Sequence, residues 1–189
     1  MRFREEIAMS NPELVEKIEK MARDHGYNCV GHTTADKLHP RDAVRDMCAA
    51  NTCHSYDRNW SCPPACGSIE DYAKKFSEYE DVVVFETVAE MEDEFDVDTM
   101  LDTNDDHKER MIPFAEDVRE IVPDCLFLSA GPCTLCEECA YPDNPCRFPK
   151  KQFAAMEASG LVVSDVCKSA DIPYNHGKNH IAYISCVVF

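Results

Sequence analysis

Apolar positions along this chain fall into two kinds of run, one repeating every three or four residues and one nearly continuous. Asn11-Pro12-Glu13-Leu14 supplies a cap, a proline at the first helical position and an early acid. Leu14, Ile18, Met21 and Ala22 then share one face, so a first helix is predicted to run to about His25 and stop at Gly26. Residues 69–79 repeat the pattern through Ile69, Tyr72, Ala73 and Phe76, and residues 112–122 predict a further helix. Residues 153–159 and 161–170 read as two short helical stretches parted at Gly160.

The second kind of run predicts strands. Residues 27–33 have suitable β-branched and aromatic content, and Val82-Val83-Val84-Phe85, within 81–88, is continuous enough to be buried on both faces. Residues 125–128 and 180–189 supply two more. Helices and strands alternate, which predicts one α+β domain over residues 1–189, a central and mostly buried mixed sheet covered by helices. Residues 35–67 and the segment after Gly131-Pro132 break the pattern and need something other than core packing to order them.

Composition explains why. The chain has twelve cysteines in 189 residues, far above ordinary usage, so it asks for a metal, a redox site or an export route. The first thirty residues carry charges throughout and contain no apolar core of a signal peptide, so the chain reads as cytoplasmic. No run approaches a bilayer span, so no membrane association is expected. In a reducing compartment the simplest use of so many thiols is as metal ligands. The formal net charge of −17 repels phosphate backbones and argues against nucleic acid. Eleven carboxylates lie between Glu86 and Glu109 against the single base Lys108, which reads as a solvated loop and helix face in preference to a docking patch. No glycine follows Asp96-x-Asp98 where a calcium loop needs its tight turn.

Both unpatterned stretches are cysteine-rich, and each reads as a metal-binding loop. Downstream, Cys133-x2-Cys136-x2-Cys139 lets one loop wrap three corners of a cubane, and Cys146 follows after six residues as the fourth candidate. Structural zinc is the rival, although zinc sites usually pair C-x2-C knuckles across a longer loop. Upstream, Cys48-x4-Cys53-x8-Cys62-x3-Cys66 supplies four thiolates to a second cluster, with Arg41, Arg45 and Arg58 to offset its charge. Pro63-Pro64 stiffens the loop beside Cys62.

The segments Asn59-Trp60-Ser61-Cys62-Pro63-Pro64, Gly131-Pro132-Cys133-Thr134-Leu135-Cys136-Glu137-Glu138-Cys139 and Pro145-Cys146-Arg147-Phe148-Pro149 resemble a cysteine-rich prokaryotic family of predicted metal-binding proteins of unknown function. The likeness runs from about Val44 through Met156-Glu157-Ala158-Ser159-Gly160 to the final strand. It implies a cytoplasmic iron–sulfur protein, with Cys48, Cys53 and Cys62 matching one motif and Cys133, Cys136, Cys139 and Cys146 the other. Cys66 lies outside the motif, which implies either a fourth ligand particular to this chain or an upstream iron left open.

Cys29, Cys125, Cys167 and Cys186 lie in or beside predicted elements and read as core thiols, Cys125 being the reserve ligand. His176 and His180 flank a glycine-containing turn that reads as a surface loop, with proton transfer as the sharper alternative. Trp60 is expected to shield the upstream cluster. No phosphate loop, G-x-S-x-G elbow or H-E-x-x-H helix is present, and Cys62-x3-Cys66 lacks the third cysteine of the radical-SAM signature, Ile69 standing in its place. The expectation is thus a protein with two [4Fe-4S] clusters that acts in electron transfer with a redox partner protein. The alternatives are a metalloenzyme using an open iron on a small molecule, with the His176–His180 turn as its acid or base, and a zinc-stapled interaction module.

Overall fold

Val82, Val83, Val84 and Phe85 are completely buried, and the fold is organised around the strand that carries them. The computed structural model describes residues 10–189. Its helices are α1 (Pro12–Asp24), α2 (Asp42–Ala49), α3 (Ile69–Phe76), α4 (Val97–Ile121) and α5 (Val163–Ser169). Its strands are β1 (Cys29–Thr34), β2 (Asp81–Glu90), β3 (Leu126–Ser129), β4 (Ala154–Ala155) and β5 (His180–Val188). The strands form one mixed sheet in the order β1-β2-β5-β3-β4, antiparallel except for the β3–β4 pair.

Alternation along β2 divides the interior in two. Val82 and Val84 face α3 and α5 through Tyr72, Phe76, Val166 and Cys167, whereas Val83 and Phe85 face α1 and α4 through Ile18, Ala22, Met111, Phe114 and Val118. Each such side chain contributes roughly 1.5–3 kcal/mol when fully buried. The entry to α1 and strand β1 are both tied to β2. The buried Asp81 carboxylate accepts from Ser10 Oγ at 2.7 Å and from the Asn11 backbone N–H at 3.1 Å, and lies 2.8 Å from His32 Nε2.

The first helix is capped as its sequence predicts, Asn11 Oδ1 accepting the Leu14 N–H at 3.2 Å. Two helical expectations change. α4 starts at Val97 rather than near Ile112, because its buried stripe runs back through His107 and Thr103, polar residues that interrupt the apolar period. Residues 153–159 form no α-helix; Ala154 and Ala155 pair in parallel with Leu128 and Ser129, and only Glu157–Ser159 are helical, as one 3-10 turn. In that turn Gly160 is required. Its φ is +85°, and a Cβ there would stand 2.4 Å from Ile69 Cδ1 and 3.1 Å from the Arg41 backbone nitrogen. This close approach brings the turn against the start of α2, with the Arg41 N–H donating to the Gly160 carbonyl at 2.9 Å.

Candidate metal centre

The upstream cysteines come from three kinds of backbone. Cys48 lies in the last turn of α2, Cys53 and Cys62 in the irregular segment that follows, and Cys66 just before α3. Cys62 is buried; its thiol is pushed up to about 11, chiefly by desolvation, and it senses the charges of Cys53, Cys66 and Cys48. The four thiols therefore form one electrostatic group. The 3-10 turn closes its far side, with Cys48 Sγ 3.9 Å from the Glu157 carbonyl oxygen and Cys66 Sγ 3.7 Å from that of Ala158. Arg45 stands 3.7 Å from Cys66 Sγ and donates to the Gly67 carbonyl at 2.6 Å. Its Nε is buried with no hydrogen-bond partner among the described residues, an unused donor beside the thiols. Arg41 is turned away and pairs with Asp165 at 2.6 Å, so it does not share the expected compensating role.

The downstream four occupy a single irregular loop between β3 and β4. Cys133, Cys136, Cys139 and Cys146 line one small cavity together with Trp60, Leu135 and Phe148. Burial raises the Cys133 pKa above its ordinary value, the Leu135 backbone N–H lowers it, and Cys146, Cys136 and Cys139 raise it further. The Phe148 N–H points at Cys146 Sγ over 3.4 Å. Trp60 serves this cavity rather than the upstream group. Its ring meets Tyr141 edge-on at 5.0 Å and its Nε1–H donates to the Asn144 carbonyl at 3.1 Å.

The two groups adjoin through Asn59-Trp60-Ser61. Ser61 Oγ accepts the Cys133 N–H at 2.8 Å and lies 3.7 Å from Cys62 Sγ. Asn59 donates to the Cys133 carbonyl at 3.0 Å and its Oδ1 accepts from both Ser61 N and Ser61 Oγ. Lys108, from α4, donates to the Pro132 carbonyl at 2.9 Å; burial lowers its pKa, while Asp105, Cys133 and Cys62 raise it. Lys108 lies in no cysteine motif, and Ser61, although inside the Asn59–Pro64 segment, shows its link to Cys133 only in the tertiary arrangement.

Among the described residues, no three of the eight sulfurs lie within 4.8 Å of one another. Thiolates around one zinc at about 2.3 Å stand only about 3.8 Å apart, whereas a cubane separates its terminal thiolates by about 6 Å. The sulfurs stand wider than three ligands of a single zinc would, and each group offers a four-sulfur donor set to a metal, with the Arg45 guanidinium beside the upstream one.

A family model described as "Predicted metal-binding protein (DUF2284)" matches residues 31–189. The chain belongs to this family. The DUF2284 match includes all eight of these cysteines. No curated protein and no solved structure matches the chain.

The other cysteines behave differently from one another. Cys186 is fully buried in one core, its pKa raised by desolvation, and Cys125 is buried in the opposite core with its thiol pushed up to about 11, away from both groups. Cys29 is not a core thiol. It is partly exposed and faces Glu86, as does Cys167 at 3.7 Å from Glu86 Oε1. Glu86 itself, read from sequence as part of a solvated acidic face, is completely buried and lies 2.7 Å from His176 Nε2. His180 sits apart at the exposed start of β5, so the two imidazoles of the turn do not converge. Among the described residues, no helix is long and apolar enough to cross a membrane.

Proposed function

We propose that this protein is a two-cluster iron–sulfur protein that exchanges electrons with a redox partner. Cys48, Cys53, Cys62 and Cys66 would hold one [4Fe-4S] cluster and Cys133, Cys136, Cys139 and Cys146 the other. Each cluster, when bound, supplies a one-electron couple whose potential follows hydrogen bonding to sulfur and solvent exposure. The observation that carries the reading is the Ser61 bridge, which puts the Cys62 and Cys133 segments in direct contact.

This chain's own residues supply the tuning. Arg45 and Lys108 offset anionic charge, and Trp60, Phe148 and Leu135 narrow solvent access to the downstream cavity. Free thiols in such number favour a reducing cytoplasm. The acidic outer face of α4 favours a partner of opposite charge. Cys66 belongs to the electrostatic group of Cys62, which supports a four-thiolate upstream cluster over an open iron.

Protein made and purified without oxygen is expected to contain about eight irons and about eight sulfides per chain and to give cluster EPR signals on reduction. Stoichiometric zinc without iron would overturn the proposal. Cys66→Ala is expected to remove the upstream cluster; an unchanged cluster spectrum in that variant would favour the open-iron enzyme instead.

A further inference from the structure

We propose that Cys29, Glu86 and His176 form a separate mononuclear zinc site, sharing no residue with either cysteine group. The three side chains offer one sulfur, one carboxylate oxygen and one imidazole nitrogen, all within 4.8 Å of one another. Mixed sulfur, nitrogen and oxygen donors suit zinc, and three protein ligands leave a fourth position for water or substrate. Among the described residues, no three sulfurs of either cysteine group come that close.

The fold assembles these donors from three places. Cys29 and Glu86 are register partners on β1 and β2, so their side chains stand together on one face of the sheet. That face is the one lined by Val82 and Val84. His176 arrives from the loop after α5, and Gly31 permits the approach: a Cβ on it would lie 2.4 Å from the Ala170 carbonyl oxygen and 2.6 Å from Ile172 Cγ2. With no side chain in the way, the loop settles on β1 and His176 Nε2 reaches Glu86 Oε2 at 2.7 Å.

A carboxylate completely buried at the end of an apolar stripe is costly unless it is paired or ligates a metal. Its two oxygens are already differentiated. The Cys167 thiol addresses Oε1 at 3.7 Å and orients the group, while Oε2 faces His176 and remains for the metal. One thiolate and one carboxylate also balance the two positive charges of the ion, giving a neutral buried centre. On binding, the Cys29 thiol proton leaves to solvent and the His176 N–H moves from Nε2 to Nδ1, freeing Nε2 to ligate. Cys29 and His176 are partly exposed, which gives the ion a way in.

The test uses the full chain with its clusters, purified without oxygen, equilibrated with Zn2+ and then dialysed against metal-free buffer. Zinc, iron and sulfide are counted for this protein and for Cys29→Ala and His176→Gln, with zinc-edge X-ray absorption giving the ligands. These two substitutions fall on an edge strand and a loop, so the core is kept, and matching thermal unfolding curves check that. The parent chain is expected to hold one more zinc than either variant, with about one sulfur near 2.3 Å and nitrogen or oxygen neighbours near about 2.0–2.1 Å. Iron and sulfide are expected to be equal in all three, so failure of the cluster reading is read out separately. Equal zinc in the parent and both variants, or a zinc with sulfur neighbours alone, would overturn the site.

Discussion

The two cysteine groups reach the same complement of four thiols by opposite routes. The upstream group is distributed: one ligand candidate from a helix, one exposed and one buried in the loop, one at the threshold of α3, and a wall made by the 3-10 turn of residues 157–159. The downstream group is local, four cysteines within fourteen positions of one loop. A distributed site couples its metal to packing, because ordering the ligands also orders α2 and its contacts. A local site needs only its own loop. Metal loss is therefore expected to unsettle the fold upstream and merely empty a pocket downstream.

Cys62→Ser tests this most severely. It is expected to lose the upstream cluster and to destabilise the protein by about 3 kcal/mol or more beyond Cys136→Ser, measured by denaturant unfolding under anaerobic conditions. Cys136→Ser is expected to lose about half of the iron and keep the upstream EPR signal and a near-parental unfolding midpoint. Equal destabilisation by the two would erase the contrast.

The next effect concerns how the downstream loop is anchored. His107 is completely buried; its Nδ1 lies 2.9 Å from Thr87 Oγ1 and its Nε2 lies 2.7 Å from Ser185 Oγ, which accepts the Ala130 N–H at 2.9 Å. Desolvation, followed by Lys108 and Arg110, lowers its pKa from 6.5 to about 3. The unfolded chain thus takes up this proton first as the pH falls. The contribution is fully present above pH 6.5 and declines toward pH 3, by up to about 1.4 kcal/mol per pH unit. Between pH 6.5 and about 5 the parent is expected to lose about 2 kcal/mol more than His107→Gln, with proteolysis starting in the downstream loop. A parallel pH dependence of the two proteins would remove His107 as the anchor.

Ser61→Ala sharpens the comparison at its joint. Loss of the Cys133 N–H acceptor is expected to cost about 1–2 kcal/mol, without loss of iron, and to change the magnetic coupling between the two reduced clusters. The smallest effect is expected from Trp60→Phe, which removes the bond to the Asn144 carbonyl. Oxygen should then bleach the downstream cluster faster and leave the upstream rate unchanged.

Much of this architecture was written locally. The capped α1, the apolar run of β2 and the close spacing from Cys133 to Cys139 each depend on residues near in sequence, and each can be read there. α4 was half hidden because Thr103 and His107 belong to its buried stripe; their partners on the sheet make them compatible with the core, and those partners are remote. Glu86 was concealed in the same way among ten other carboxylates, since only register with Cys29 and the arrival of His176 distinguish it. Trp60 lies two residues before Cys62 yet lines the other cavity, because the loops interlock. Sequence proximity predicted its neighbour wrongly where three-dimensional exchange between loops decides.

The order of strands in the sheet also has a bearing on biosynthesis. Among the described residues β5 lies between β2 and β3 and pairs with both, yet it is the last of these five strands to be translated. All eight clustered cysteines leave the ribosome before it. A nascent chain thus presents a full complement of reactive thiols while β2 and β3 still lack the strand that pairs with both, their contact resting on side chains such as Phe85 and Phe127. Metal delivery to the paired sheet therefore follows β5, and the interval before that strand emerges is when the thiols need protection.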